Sequence, residues 1–215
     1  MKTLIKWVLG ILSGIVLIIG IMIFIFLQSM KPDKDEVAKI ERQAEEYIAN
    51  TFTDKVVIFD TLYDNMGNFT HFEYAANAEN KRDGTQFLVF FNKETNQMED
   101  TYIADQWERQ LEGEIRPYLE STLGTLDELW IFYPERTGIE FNVDPNQPSS
   151  YKDYEAKPHV MIFIPRKADS WDKELFEGIV SYLQKEAGVK HGSVSLEYID
   201  KGVRLEGDKS WHEEF

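Results

Sequence analysis

The spacing of apolar positions along this chain changes several times, and each change predicts an element. Residues 7–27 are apolar or small throughout, apart from Ser13. Such a run predicts a helix long enough to cross a hydrocarbon core of roughly 30 Å. Lys2 and Lys6 precede it, and Gln28, Lys31, Pro32 and Asp33 end it. Residues 33–52 then take helical spacing, with Val37, Ile40, Ala44, Tyr47, Ile48 and Phe52 on one face and Glu36, Glu41, Glu45 and Glu46 on others.

Strand-like segments follow at 56–63, 69–76, 86–91 and 97–103, separated by Asn-, Asp- and Gly-rich turns. That is the pattern of antiparallel hairpins. A second helix is expected over 104–123, with Trp107, Leu111, Ile115, Tyr118 and Leu119 on its apolar face. Gly113 and Pro117 should bend or break it, because proline has no N–H for the helical ladder. Strands are expected at 129–133, 139–143 and 160–164, with an exposed Pro/Ser/Tyr-rich loop over 144–157 between the last two. A third helix, capped by Asp169 or Ser170, carries Leu175, Phe176, Ile179, Leu183 and Ala187, and Gly188 stops it. Val194, Leu196 and Tyr198 alternate as a strand, Val203 and Leu205 suit a hairpin arm, and the charged end over 207–215 reads as loose.

The fold class that follows is α+β: an N-terminal transmembrane helix, then a helix with an antiparallel sheet, then a second α+β half. The alternative is one continuous sheet with helices on one face. The domains are a tail and anchor over 1–30, an acidic α+β domain over 31–206 with a sub-boundary near 104, and a tail over 207–215.

The single span followed by helix-then-meander resembles the membrane-anchored, cystatin-like small proteins of Gram-positive bacteria. The resemblance covers the anchor and residues 33–103, rests on element order, and carries no signature residue. It implies a non-enzymatic binding or regulatory module.

Charge narrows the partners. The formal net charge is −15 at pH 7. Such a surface repels nucleic acid, whose binding needs Lys and Arg to displace counterions. There is no cysteine, so disulfides and thiolate chemistry are excluded. The two lysines ahead of the span favour an N-terminus in the cytoplasm and a C-terminal domain outside it, at the cell membrane. Within the apolar run, Gly10 and Gly14 form a G-x-x-x-G spacing that lets two such helices pack.

Candidate chemistry is sparse. No G-x-S-x-G elbow exists, and the nearest serine context is His191-Gly192-Ser193. His71, His159, His191 and His212 lack metal-ligand spacing. The string Asn142-Val143-Asp144-Pro145-Asn146 alternates oxygen ligands, but Gln147 stands where a calcium loop needs glycine and Asp153 where it needs glutamate. Glu94, Glu99 and Asp100 cluster at one predicted turn, and Glu112 and Glu114 lie on the second helix. With 38 acidic residues, no pair stands out. Tyr151 and Tyr154 suit a partner contact or a lid over their own core.

No catalytic, cofactor-binding or metal residue is assigned, and no cofactor is expected. The reading is a membrane-tethered, extracytoplasmic, non-enzymatic binding or regulatory module with a protein partner in the envelope. The alternatives are a carboxylate-dependent envelope enzyme and a cytoplasm-facing docking domain.

Overall fold

Apolar faces of two periods meet along one central helix, and that meeting sets the architecture. The computed structural model describes residues 2–200, 203–205 and 210–215. The chain is α+β.

Helix α1 covers Lys2–Ser29. Its described large side chains between Leu12 and Leu27 are exposed. Among the described residues, no helix is long and apolar enough to cross a membrane. The expected integral span is therefore corrected, and with it the cell-membrane location and the orientation that depended on it. Helix pairing within a bilayer through Gly10 and Gly14 falls too. Both glycines sit on α1 with open space around them.

Helix α2, Lys34–Thr51, starts where Asp33 accepts the amides of Asp35 and Glu36 at 2.8 and 3.4 Å. Those bonds satisfy donors that a helix start leaves open. Strands β1 (Val56–Tyr63), β2 (Tyr74–Asn80), β3 (Gln86–Asn92) and β4 (Gln97–Asp100) then form an antiparallel meander in that spatial order. Strand β2 begins five residues later than its sequence predicts. Its Ala75, Ala76 and Ala78 are fully buried, where small side chains allow close packing between β1 and β3. Ala44 and Phe52 share one apolar cluster with Ala76, Ala78, Phe87 and Val89.

Helix α3, Tyr102–Leu123, runs unbroken through Gly113 and Pro117. Both residues are exposed, so the carbonyl that loses its donor at Pro117 faces water instead of the core. The opposite face carries Trp107, Leu111, Ile115 and Leu119, all essentially inaccessible. Each such side chain contributes roughly 1.5–3 kcal/mol by burial.

A second, mixed sheet follows, with spatial order β5 (Glu128–Phe132), β6 (His159–Ile164), β7 (Ser193–Asp200). Strands β5 and β6 are antiparallel, whereas β6 and β7 are parallel. The parallel step is made by helix α5, Asp172–Lys185, because parallel neighbours need a crossover between them. The expected strand at 139–143 is absent. Helix α4, Thr137–Glu140, occupies its start, and Thr137 Oγ1 donates to the Pro134 carbonyl at 2.6 Å. Strand β8, Val203–Arg204, forms a hairpin with β7. The charged end supplies β9, Trp211–Glu214, antiparallel to β7; residues 206–209 lie outside the described residues.

The expected cap of α5 also differs. Neither Asp169 nor Ser170 caps it; Trp171 holds the N-cap position. Instead the buried Asp172 accepts from Arg166 at 2.6 and 2.9 Å, from the Asp169 amide at 2.6 Å and from Tyr198 Oη at 2.8 Å.

Candidate binding groove

Two clefts, of about 690 and 630 Å³, share Gln86, Asp105, Glu108 and Phe132 and so form one groove. Its floor is the N-terminal half of α3. One wall is the outer side of the first sheet, and the other is β5 with the loop leading into α4.

The first wall depends on the loop between β1 and β2. Asp64, buried at the loop's start, accepts the amides of Phe69 and Met66 at 2.7 and 3.3 Å and Asn68 Nδ2 at 3.2 Å. The Phe69 amide, above all, holds the Asp64 carboxyl below the usual carboxylate range despite burial. The loop so fixed presents Phe69, Thr70 and His71 to the groove. Phe59 joins them from a β-bulge, where the register between β1 and β2 shifts between Ile58 and Asp60. A bulge adds one residue and re-aims its side chain, and Phe59 is exposed.

The second wall is pinned by Glu99. Its buried carboxylate accepts Arg136 Nε and Nη2 at 2.9 and 3.3 Å, Asn92 Nδ2 at 2.8 Å and Thr95 Oγ1 at 2.7 Å. Burial acts to raise its pKa, but these bonds outweigh it and hold Glu99 ionised. The pair ties Pro134, Glu135 and Arg136 to the hairpin of β3 and β4.

Between the walls stand carboxylates without cations. Asp105 is half-buried and accepts from Thr101 Oγ1. Burial pushes its pKa up to about 7, and the charges of Asp100 and Glu135 add to this against the Thr101 bond. Glu108 accepts the Tyr133 amide at 2.8 Å. Burial raises it to about 8, opposed by that bond and helped by Asp105. Glu135 is also raised by burial, and the His71 charge acts against this. Among the described residues, none of the three is paired with Lys or Arg. The two cations that line the groove are committed elsewhere: Arg136 to Glu99, and Arg109 to the Asp83 carbonyl and Thr85 Oγ1 at 3.0 and 2.9 Å.

Comparison with known proteins adds little to this geometry. No family model matches the chain, and no curated protein matches it. It is similar to the crystal structure of a DUF5037 family protein from Ruminococcus gnavus. The identity is 14%, 74% of each chain is covered, and the TM-score is 0.38. A likeness that distant carries no argument about fold or function.

The residues singled out by sequence are placed as follows. His71 lines the groove, with Nδ1 3.4 Å from Glu94 Oε2. His159 Nδ1 is hydrogen-bonded to Ser193 Oγ, and its ring lies 6.4 Å from that of His212 across the second sheet. Exposed His191 shares neither arrangement. Among the described residues, no group of three metal-ligating side chains forms.

The oxygen-rich string serves as a latch. Asn146 Oδ1 accepts the Thr53 amide at 2.7 Å, and the carbonyls of Pro145 and Asn146 accept from Arg82. Tyr151 and Tyr154 pack over the chain's own core. Tyr151 Oη donates to the Ala187 carbonyl at 2.8 Å, and the Tyr154 ring lies 5.0 Å from Trp107. Asp100 is held by Tyr47 at 2.6 Å, Glu112 by Arg116 at 2.6 Å and Glu114 by Lys152 at 2.6 Å. Sequence reasoning missed Asp105, Glu108 and Glu135. The one-turn spacing of Asp105 and Glu108 beside Trp107 is the signal for those two, and no local pattern marks Glu135.

Proposed function

We propose that this protein is a non-enzymatic binding module whose acidic groove holds a cationic polypeptide segment of a partner protein. The observation that carries this reading is the group Asp105, Glu108 and Glu135, which among the described residues pairs with no Lys or Arg, in a groove whose own arginines are held by Glu99 and by the Asp83 carbonyl. A cationic side chain entering there meets partly desolvated charge, where attraction is stronger than at an open surface. Exposed Phe59 and Phe132 add apolar surface suited to the stems of long side chains.

A carboxylate-dependent enzyme would need one acid held neutral and another held ionised across its substrate. Asp105 and Glu108 share one helical turn and are pushed in the same direction, which favours binding over that chemistry.

The test is titration of octalysine at about pH 8.5 and low salt into the wild type and into an Asp105→Asn/Glu108→Gln variant. The variant is expected to bind about tenfold more weakly, and the wild-type affinity to fall as salt screens the groove. Equal affinity of the two proteins would move the binding elsewhere and overturn the proposal.

A further inference from the structure

One wall of the groove is an open strand edge. Among the described residues, strand β5 ends the second sheet and pairs on one side only, with β6. Four consecutive residues of β5, Leu129, Trp130, Ile131 and Phe132, line the groove opposite α3. Side chains along a strand leave alternately to its two faces. A wall made by consecutive residues is therefore the backbone edge and not one face.

The next amide along the chain fixes which backbone groups face inward. Tyr133 N–H points away from β6 and donates to Glu108 Oε1. Hydrogen-bonding groups alternate sides in an antiparallel ladder, so those of Leu129 and Ile131 point the same way as that of Tyr133. Among the described residues, no strand pairs along that side. Proteins usually blunt such an edge with lysine, proline or a covering loop. Strand β5 carries neither lysine nor proline, and it leaves Trp130 and Phe132 nearly half exposed, at 45% and 49%.

We infer that the cationic partner enters the groove as a β-strand: an extended, lysine-bearing segment that hydrogen-bonds along β5 and turns alternate side chains toward the carboxylates of α3. Strand addition gives affinity through main-chain bonds, and pockets for alternate side chains give selectivity. The occupant follows from charge. Asp105, Glu108 and Glu112 face the edge across the groove, outnumbering the single cation there among the described residues, Arg109, which is drawn to the Asp83 carbonyl and Thr85 Oγ1. A second copy of this chain, at net charge −15, would bring its own acidic groove against them.

The inference rests on the acidic-groove reading, and its test separates the two. The probes are octalysine, an octapeptide of alternating lysine and valine, and two versions of that octapeptide. One version is N-methylated at every lysine amide, the other at every valine amide. In a strand all lysine amides leave by one side and all valine amides by the other. Exactly one methylated version should therefore lose binding, by at least about tenfold, while the other keeps it.

In parallel, hydrogen exchange at the Leu129 and Ile131 amides should slow at least about tenfold when the unmethylated octapeptide binds. If octalysine binds but methylation lowers the affinity of both versions or of neither, strand addition is overturned while the acidic groove stands. If no peptide binds, the acidic-groove reading fails and takes this inference with it. Slow exchange at Leu129 and Ile131 that depends on protein concentration without peptide would assign the edge to a second copy, and would also overturn it.

Discussion

An Asp105→Asn/Glu108→Gln variant is expected to be more stable than the wild type at about pH 8.5, by several kcal/mol, and to approach it near pH 4. The sign follows from the direction of both shifts. In the folded protein Asp105 titrates at about 7 and Glu108 at about 8, whereas in the unfolded chain both titrate near 4. Between those values the folded state holds protons that the unfolded state has released. The stability these groups contribute is thus complete below the unfolded pKa. It is lost as pH rises through about 7 for Asp105 and about 8 for Glu108.

The amides remove that loss and keep the acceptors that Thr101 and the Tyr133 amide use. Denaturant midpoints measured near both ends of the window decide the matter. A variant no more stable than the wild type at high pH would mean that the two carboxyls are well solvated. The groove would then lack the desolvated charge attributed to it.

The second large effect is structural. Trp107→Ala is expected to cost about 3–5 kcal/mol, a large part of the 5–15 kcal/mol that holds a typical domain together. Trp107 is fully buried and joins separate parts of the chain. Its ring lies 5.7 Å from Tyr133, 6.3 Å from Phe141 and 5.0 Å from Tyr154. Its Nε1–H donates to the Ser149 carbonyl at 2.8 Å. Truncation leaves a cavity between α3 and the segment after β5, and it strands a carbonyl that had a partner. Thermal unfolding reads the loss, and hydrogen exchange should show the 144–157 loop opening first. A loss below about 1 kcal/mol would mean that the site collapses around the missing ring.

Much of the fold was written in local pattern. The face of α3 at Trp107, Leu111, Ile115 and Leu119 and the turn-punctuated meander after α2 both follow from spacing alone. The alternation Ile139, Phe141, Val143 mimicked a strand because three apolar residues at period two cannot be told from the exit of a short helical turn. Strand β2 starts later than its pattern suggests because Phe69 and Phe72 look strand-like, whereas the carboxylate of Asp64 folds that stretch into a loop. Ala-Ala-Asn-Ala has little strand propensity of its own, and it pairs because β1 and β3 close on it.

The site was far less legible. The raised pKa values of Asp105 and Glu108 come first from burial, with the charges of Asp100 and Glu135 adding at Asp105 and that of Asp105 adding at Glu108, and no single window of sequence holds all of these. The free edge of β5 is a property of topology. It exists because α5 carries the chain across so that β7 pairs with β6 and leaves β5 outermost. The apolar run at the N-terminus misled in the other direction: its composition suits a span, but among the described residues no helix is long and apolar enough to cross a membrane.

Octalysine titrated into the wild type at about pH 6 and again at about pH 8.5 tests the central claim most directly, because its lysines stay charged at both. If the groove binds cations through Asp105 and Glu108, the affinity rises about tenfold between the two, and protons are released on binding at neutral pH. Equal affinity at both pH values, or tighter binding at the lower one, would contradict the account.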